Sequence, residues 1–149
     1  MKTGYRVCDV MTKKPIEVAP DMSIVDCARV MAENHVGSLL VRENKKLLGL
    51  LTEKDIVRKI VARGFELEKI KASDAMNAEF ISITPEKDIY EALVLMRDHN
   101  VRQIPVMSGK TMVGFLTGKD VLKIQPQLFE LLADKIELRE QKRKLSVLE

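Results

Sequence analysis

Two short stretches hold the residues best suited to chemistry. They are Gly49-Leu50-Leu51-Thr52-Glu53-Lys54-Asp55 and Gly114-Phe115-Leu116-Thr117-Gly118-Lys119-Asp120. Each reads as the end of an apolar strand, then a Thr, then an Asp three residues on at the start of a helix. That spacing gathers a hydroxyl, helix N–H groups and a carboxylate around one small cavity. One carboxylate can accept hydrogen bonds from both hydroxyls of a ribose, each charge-assisted contact contributing roughly 1.5–3 kcal/mol, and Asp55 and Asp120 suit that role. The hydroxyls of Thr52 and Thr117 and the helix starts suit a phosphate, with the dipole adding about 0.3–1 kcal/mol. The same spacing is also an ordinary helix cap, so a single copy would more often be structural.

These stretches lie 65 residues apart, and the offset holds without a gap. Asp9 pairs with Asp74, Met11 with Met76, Ile16 with Ile81, Pro20 with Pro85, Ile24 with Ile89, Met31 with Met96, Val36 with Val101 and Val41 with Val106. Such persistence marks a structural duplication. Units of about sixty residues, present only twice, suit one module packed face to face better than a solenoid.

The elements that must position the Thr-Asp ends follow from local pattern. Tyr5 to Met11 reads as a short leading turn or helix that packs Val7, Val10 and Met11, and Ile16-Glu17-Val18 as a strand. Ser23-Ile24-Val25-Asp26 has the form of a capping box for a helix to about Asn34. Ser38 to Val41 and Lys46 to Leu51 form a hairpin around Glu43-Asn44-Lys45. Thr52 then caps a helix from Glu53 to about Arg63, closed by Gly64. The second copy repeats the order. Asp74 to Met76 is its leading turn and Phe80 to Ile83 its strand; Asp88 to Glu91 is the capping box of its first helix. Gln103 to Met107 and Met112 to Leu116 form its hairpin, and Thr117 caps its last helix. Each unit is β-α-β-β-α, with two helices on one face of a three-stranded sheet, and the halves are expected to dock with pseudo-twofold symmetry.

Composition bounds the function. A chain of 149 residues, 46% hydrophobic, can bury a sizeable core without staples. A net charge of +3, with Lys and Arg scattered among Asp and Glu, gives no basic stripe for nucleic acid. Cys8 and Cys27 form neither a CxxC nor a disulfide framework, and Cys27 sits in an apolar helical pattern as a core residue. His35 and His99 fall near helix ends as dipole partners, and no His/Cys/carboxylate cluster has zinc spacing. No P-loop, G-x-G-x-x-G or Ser-His-Asp order proposes catalysis. No apolar run reaches membrane-spanning length and Met1 to Tyr5 opens no signal peptide, so a cytoplasmic location is expected.

Asp9-Val10-Met11, Ile104-Pro105-Val106 and the two Gly-x-x-Thr-x-x-Asp ends resemble a tandem pair of CBS domains over about Val7 to Leu122. The resemblance implies an α/β (α+β) fold with a first repeat over residues 1–64 and a second over 65–123. It implies a regulatory or energy-sensing module, not an enzyme, that binds adenosine-containing ligands: AMP, ADP, ATP, NAD(H) or S-adenosylmethionine. It also implies clefts built from both copies. Carried onto this chain, one would join Thr52 and Asp55 to Phe80, Ile81 and Arg102, and the other Thr117 and Asp120 to Lys14, Ile16 and Ser38. These two sets differ: Arg102 offers a phosphate fork where the first copy has Gly37, Glu53 stands where the second has Gly118, and Leu40 replaces Pro105. Unequal affinity follows as an expectation. CBS pairs commonly assemble, so a homodimer and an unknown protein effector are the expected partners.

Residues 124–149 read as a C-terminal amphipathic helix carrying Leu128, Leu131, Leu132, Ile136 and Leu138 into a basic end. Two other functions compete with the sensor. One is a ligand-free module for dimerisation or protein interaction. The other, through the basic tail, is nucleic-acid binding.

Overall fold

The duplicated sequence gives duplicated elements in the computed structural model, which describes residues 2–124 and Pro126. In chain order they are α1 (Val7–Val10), β1 (Glu17–Val18), α2 (Ile24–Asn34), β2 (Ser38–Glu43), β3 (Lys46–Thr52) and α3 (Glu53–Asp55). A π-helical segment, Ile56–Val61, and a 3₁₀ turn, Leu67–Lys69, lead to α4 (Ala72–Ala75). Then come α5 (Ile89–His99), β4 (Gln103–Ser108), β5 (Thr111–Thr117) and α6 (Gly118–Ile124). Apart from Ile124 and Pro126, the C-terminal helix expected over residues 124–149 lies outside the described residues.

Two compact units result, and they do not follow chain order. One holds Lys14–Phe80 with Lys110–Met112; the other holds the residues up to Lys13, Ile81–Gly109 and the described residues from Val113 on. In the first, β1 runs parallel to β2 and β2 antiparallel to β3, with Asn44 and Lys45 turning the hairpin at φ 49° and 65°. Two positive φ angles match the twist of the flanking strands. Ile24, Cys27 and Met31 of α2 bury against Leu39, Val41 and Leu51, and Ala72 and Ala75 of α4 close the same core. In the second, Ile89, Leu93 and Met96 of α5 bury against Ile104, Val106 and Leu116. Val7 and Val10 of α1 complete that core, and Val7 N–H donates to the Lys87 carbonyl at 2.8 Å. The leading segment of the chain therefore packs with the second repeat's strands. The segment from Leu67 to Met76 packs with the first repeat's, where Ile24 N–H donates to Ile70 O at 2.9 Å.

Three local expectations change. The strand expected over Phe80 to Ile83 is reduced to a single parallel bridge, Ile83 to Val106. The first repeat shows why: there Leu40 N–H donates to the Ile16 carbonyl at 3.1 Å, and Pro105 stands at Leu40's place in the second. Proline has no N–H to give Ile81, and the ladder keeps only the Ile83 bonds, to Pro105 O at 3.1 Å and from Met107 N–H at 2.9 Å. The helix after Thr52 runs as α only to Asp55 and then widens, with Ala62 N–H reaching back five residues to Val57 O. Ile56, Val57, Ile60 and Val61 crowd the preceding turn, which disfavours tighter winding. Finally, neither first-helix capping box closes: Ser23 caps α2 by accepting from Asp26 N–H at 3.1 Å while the Asp26 carboxylate turns to Arg29 at 3.0 Å, and Asp88 caps α5 through Tyr90 N–H at 2.9 Å while Glu91 faces Lys87.

Asp88 does more than cap α5. It accepts from Tyr90 N–H at 2.9 Å and from the Thr3 N–H and hydroxyl, both at 2.8 Å, and Gly4 N–H approaches at 3.2 Å. Burial raises its pKa, but the donors from Tyr90, Thr3 and Gly4 outweigh it and hold the carboxyl below its ordinary 3.8. A carboxylate lowered on folding stabilises above its unfolded pKa and loses that contribution as pH falls through the folded value. Asp88→Asn is therefore expected to lower the melting temperature at neutral pH and to converge with the wild type well below pH 3.8. Melting curves across that range check it, and a difference that persists at the lowest pH refutes it.

Candidate functional site

Each Thr-Asp end is built where a leading segment crosses the last strand of a hairpin. In the first-repeat unit, Leu50 and Asn77 exchange two backbone hydrogen bonds, at 3.0 and 2.8 Å. In the second, Thr12 and Phe115 do the same, at 2.8 and 2.9 Å. The crossing explains the glycine of each motif. A Cβ on Gly49 would meet the Asn77 carbonyl oxygen at 2.6 Å and the Met76 sulfur at 2.9 Å, and a Cβ on Gly114 would run into the Met11 side chain. These glycines admit a neighbouring backbone rather than a ligand.

Past the crossing, both motifs close capping boxes. Thr52 Oγ1 accepts from Asp55 N–H at 3.1 Å while Asp55 Oδ2 accepts from Thr52 N–H at 2.9 Å. Thr117 and Asp120 repeat this at 3.2 and 3.0 Å. Beyond the cap the two carboxylates part company. Asp55 is only 7% exposed and also accepts from the Thr52 hydroxyl at 2.9 Å and from Asn77 Nδ2 at 3.1 and 3.2 Å. Lys59 Nζ stands 3.2 Å from its Oδ1. Asp120 is half-buried and meets the Thr12 hydroxyl at 3.3 Å from each oxygen, one proton shared between two long contacts.

The other residues singled out by sequence divide between the units. Ser38 stands opposite Thr52 in the β2–β3 register, Ile16 packs against the first core, and Lys14 is exposed. Phe80 is half-buried at the end of that unit. In the second unit Ile81 packs against the core, and the Arg102 carbonyl accepts from Gly118 N–H at 2.9 Å, so the Arg102 backbone adjoins the start of α6. Gly37 O and Glu53 N–H make the matching bond at 3.0 Å. There a Cβ on Gly37 would collide with the Glu53 carboxylate, which puts an anion where the second unit has Gly118. Lys59 and Asn77 were not singled out from the sequence. The signal was in the repeat register, where Ile124 and Thr12 occupy their places.

Elsewhere in the second unit a groove of about 650 Å³ is walled by Ile83, Tyr90, Val94, Leu95 and Met107. Lys87 and Glu91 on its lining approach each other to 3.7 Å, so it presents a neutral, apolar surface. Burial, then the charge of Asp26, push the Cys27 thiol up to about 11, and a fully buried protonated thiol is a core residue. Among the described residues no group of three or more His, Cys, Asp or Glu could hold a metal ion, and no helix is long and apolar enough to cross a membrane.

The chain belongs to the CBS domain family, whose sequence profile matches residues 7–62 and again 72–126. It is 31% identical over 128 residues to an uncharacterized protein of Methanocaldococcus jannaschii, covering 84% of this chain and 69% of that one. It is 35% identical over 108 residues to the mitochondrial CBS domain-containing protein CBSX3 of Arabidopsis thaliana, covering 69% and 52%. The chain thus spans from about half to about seven tenths of the length of these relatives. Among solved structures, a candidate signal-transduction protein with CBS domains from Burkholderia ambifaria superposes with a TM-score of 0.70 at 27% identity, over 74% of this chain and 82% of that one. The two matches make the chain a tandem CBS pair.

The crossing geometry sets an order of cost. Gly49→Ala forces a methyl onto backbone and is expected to lose roughly 1–3 kcal/mol of stability in urea unfolding. Gly114→Ala is expected to lose less, because the flexible Met11 side chain can turn away. Equal losses would contradict this account of the motif glycines.

Proposed function

We propose that the chain is a regulatory sensor that binds an adenosine-containing ligand at a Thr-Asp end. The observation that carries this reading is the Thr117–Asp120 end, where a half-buried carboxylate retains acceptor capacity beside the Thr117 hydroxyl. A ribose diol matches that carboxylate. Arg102, which the family resemblance grouped with Thr52 and Asp55, as it did Ile81, adjoins the start of α6 instead, and from that exposed position it supplies a cation for a phosphate. The Ile81 carbonyl, to which Pro105 has no N–H to donate, supplies an acceptor for an adenine amino group. Phe80, Lys14, Ile16 and Ser38 remain the further candidate contacts, as the family resemblance implies. Binding at such a site signals only by favouring one assembly or partner surface over another.

Exposed apolar residues support a self-associating reading of the same protein. Val57, Val61 and Phe65 recur at four-residue spacing and are 56%, 53% and 48% exposed, and Leu122 occupies Val57's place in the second repeat at 38%. Such a stripe suits an interface, and a homodimer is the assembly we propose.

A thermal-shift panel of AMP, ADP, ATP, NADH and S-adenosylmethionine tests the ligand. An effector at a hundred times its Kd is expected to add about 2.7 kcal/mol of stability. No shift from any of the five would refute the adenosine reading. Sedimentation equilibrium tests the assembly: Val57→Glu with Val61→Glu is expected to yield monomers from a wild-type dimer, and a monomeric wild type would end that proposal.

A further inference from the structure

We propose that Lys59 and Asn77 close the Asp55 carboxylate and convert it into a structural anchor, so that of the two motif carboxylates only Asp120 is open to a diol. The ligand half of this proposal rests on the sensor reading; the anchor half does not. A carboxylate presents about four acceptor positions. At Asp55 the Thr52 N–H and hydroxyl and the Asn77 amide donate into them, and the Lys59 ammonium closes the Oδ1 side as an ion pair at 3.2 Å. Lys59 is itself committed, with Nζ also donating to the Ala75 carbonyl at 3.2 Å and to Asn77 Oδ1 at 2.9 Å. The cluster ties the π-helical segment to the chain that follows α4.

A diol could reach Asp55 only by displacing these donors, and removing Lys59 would also strip Ala75 and Asn77 of theirs. At the equivalent places the second unit has Ile124, which cannot donate, and Thr12, whose hydroxyl offers one proton where Asn77 offers two. The same motif therefore carries two roles, and the residues at 59 and 77 decide which.

Melting temperatures test the anchor without a ligand. Asp55→Asn and Lys59→Met are each expected to lower the midpoint by roughly 5–10 °C, and together by less than the sum, while Asp120→Asn shifts it by no more than about 3 °C. Equal shifts for Asp55→Asn and Asp120→Asn would overturn the proposal. Calorimetric titration with the nucleotide that shifts the wild type tests the ligand half. One nucleotide is expected per wild-type chain, lost in Asp120→Asn and kept in Asp55→Asn. The paired exchange Lys59→Ile with Asn77→Thr is expected to raise the stoichiometry to two. Loss of binding in Asp55→Asn with retention in Asp120→Asn would overturn the assignment. If no nucleotide binds the wild type, the sensor reading fails, and the melting series alone still decides whether Asp55 is an anchor.

Discussion

Both Thr-Asp ends depend on one contact, the antiparallel crossing of a leading segment over the strand that carries the motif glycine. Two backbone hydrogen bonds fix each crossing, and a missing Cβ on the strand lets the two backbones meet. Individually such bonds contribute only about 0.5–1.5 kcal/mol net, so their value is positional. They set one side chain, Asn77 or Thr12, against the carboxylate at the start of the next helix. The chemistry of each helix start is thus decided by a residue distant in sequence, 22 positions away for Asp55 and 108 for Asp120.

Much of this was readable from sequence because the governing forces are local. The hairpins followed from alternation and turn residues, the caps from Ser23, Thr52 and Thr117, and the extent of α2 from apolar spacing. What was not readable depends on the partner across space. Val7 and Val10 announce themselves as buried, but nothing local tells them to join the core containing Leu93 and Leu116. Pro105 was visible as a departure from Leu40, yet its effect on the Phe80–Ile83 strand appears only once Ile16 is seen to need the Leu40 N–H. The site showed the same limit. Thr52 and Asp55 stood out by spacing, whereas Lys59 looked like a surface lysine on a helix and Asn77 like a loop polar residue.

Identical positions within a duplication mark what the fold requires, and differing positions mark where the copies have been released from one another. The glycines, threonines and aspartates of the motif are shared because both units need the crossing and the cap. Gly37 against Arg102, Glu53 against Gly118 and Leu40 against Pro105 all surround those shared residues. Arg102 gives the second repeat a cation, and Pro105 leaves the Ile81 carbonyl without the N–H that Leu40 gives Ile16. An anion beside the first helix start works against phosphate there, while Gly118 adds none.

A buried carboxylate is costly unless every acceptor position is filled, and the first repeat fills them from within its own unit. Such a network resists exchange: a ligand hydroxyl would replace a charged ammonium with a neutral donor and leave the Ala75 carbonyl and the Asn77 amide oxygen short of a partner. At Asp120 the proposed exchange would run the other way, since two long contacts from one hydroxyl proton would give up little to a diol. The cap bond from Thr117 N–H would survive in either state, so recognition of the proposed ligand would leave the helix start intact. Duplication supplied two copies of one scaffold, and in the roles we propose polar saturation, rather than the motif itself, would separate the copy that holds the fold from the copy that answers a ligand.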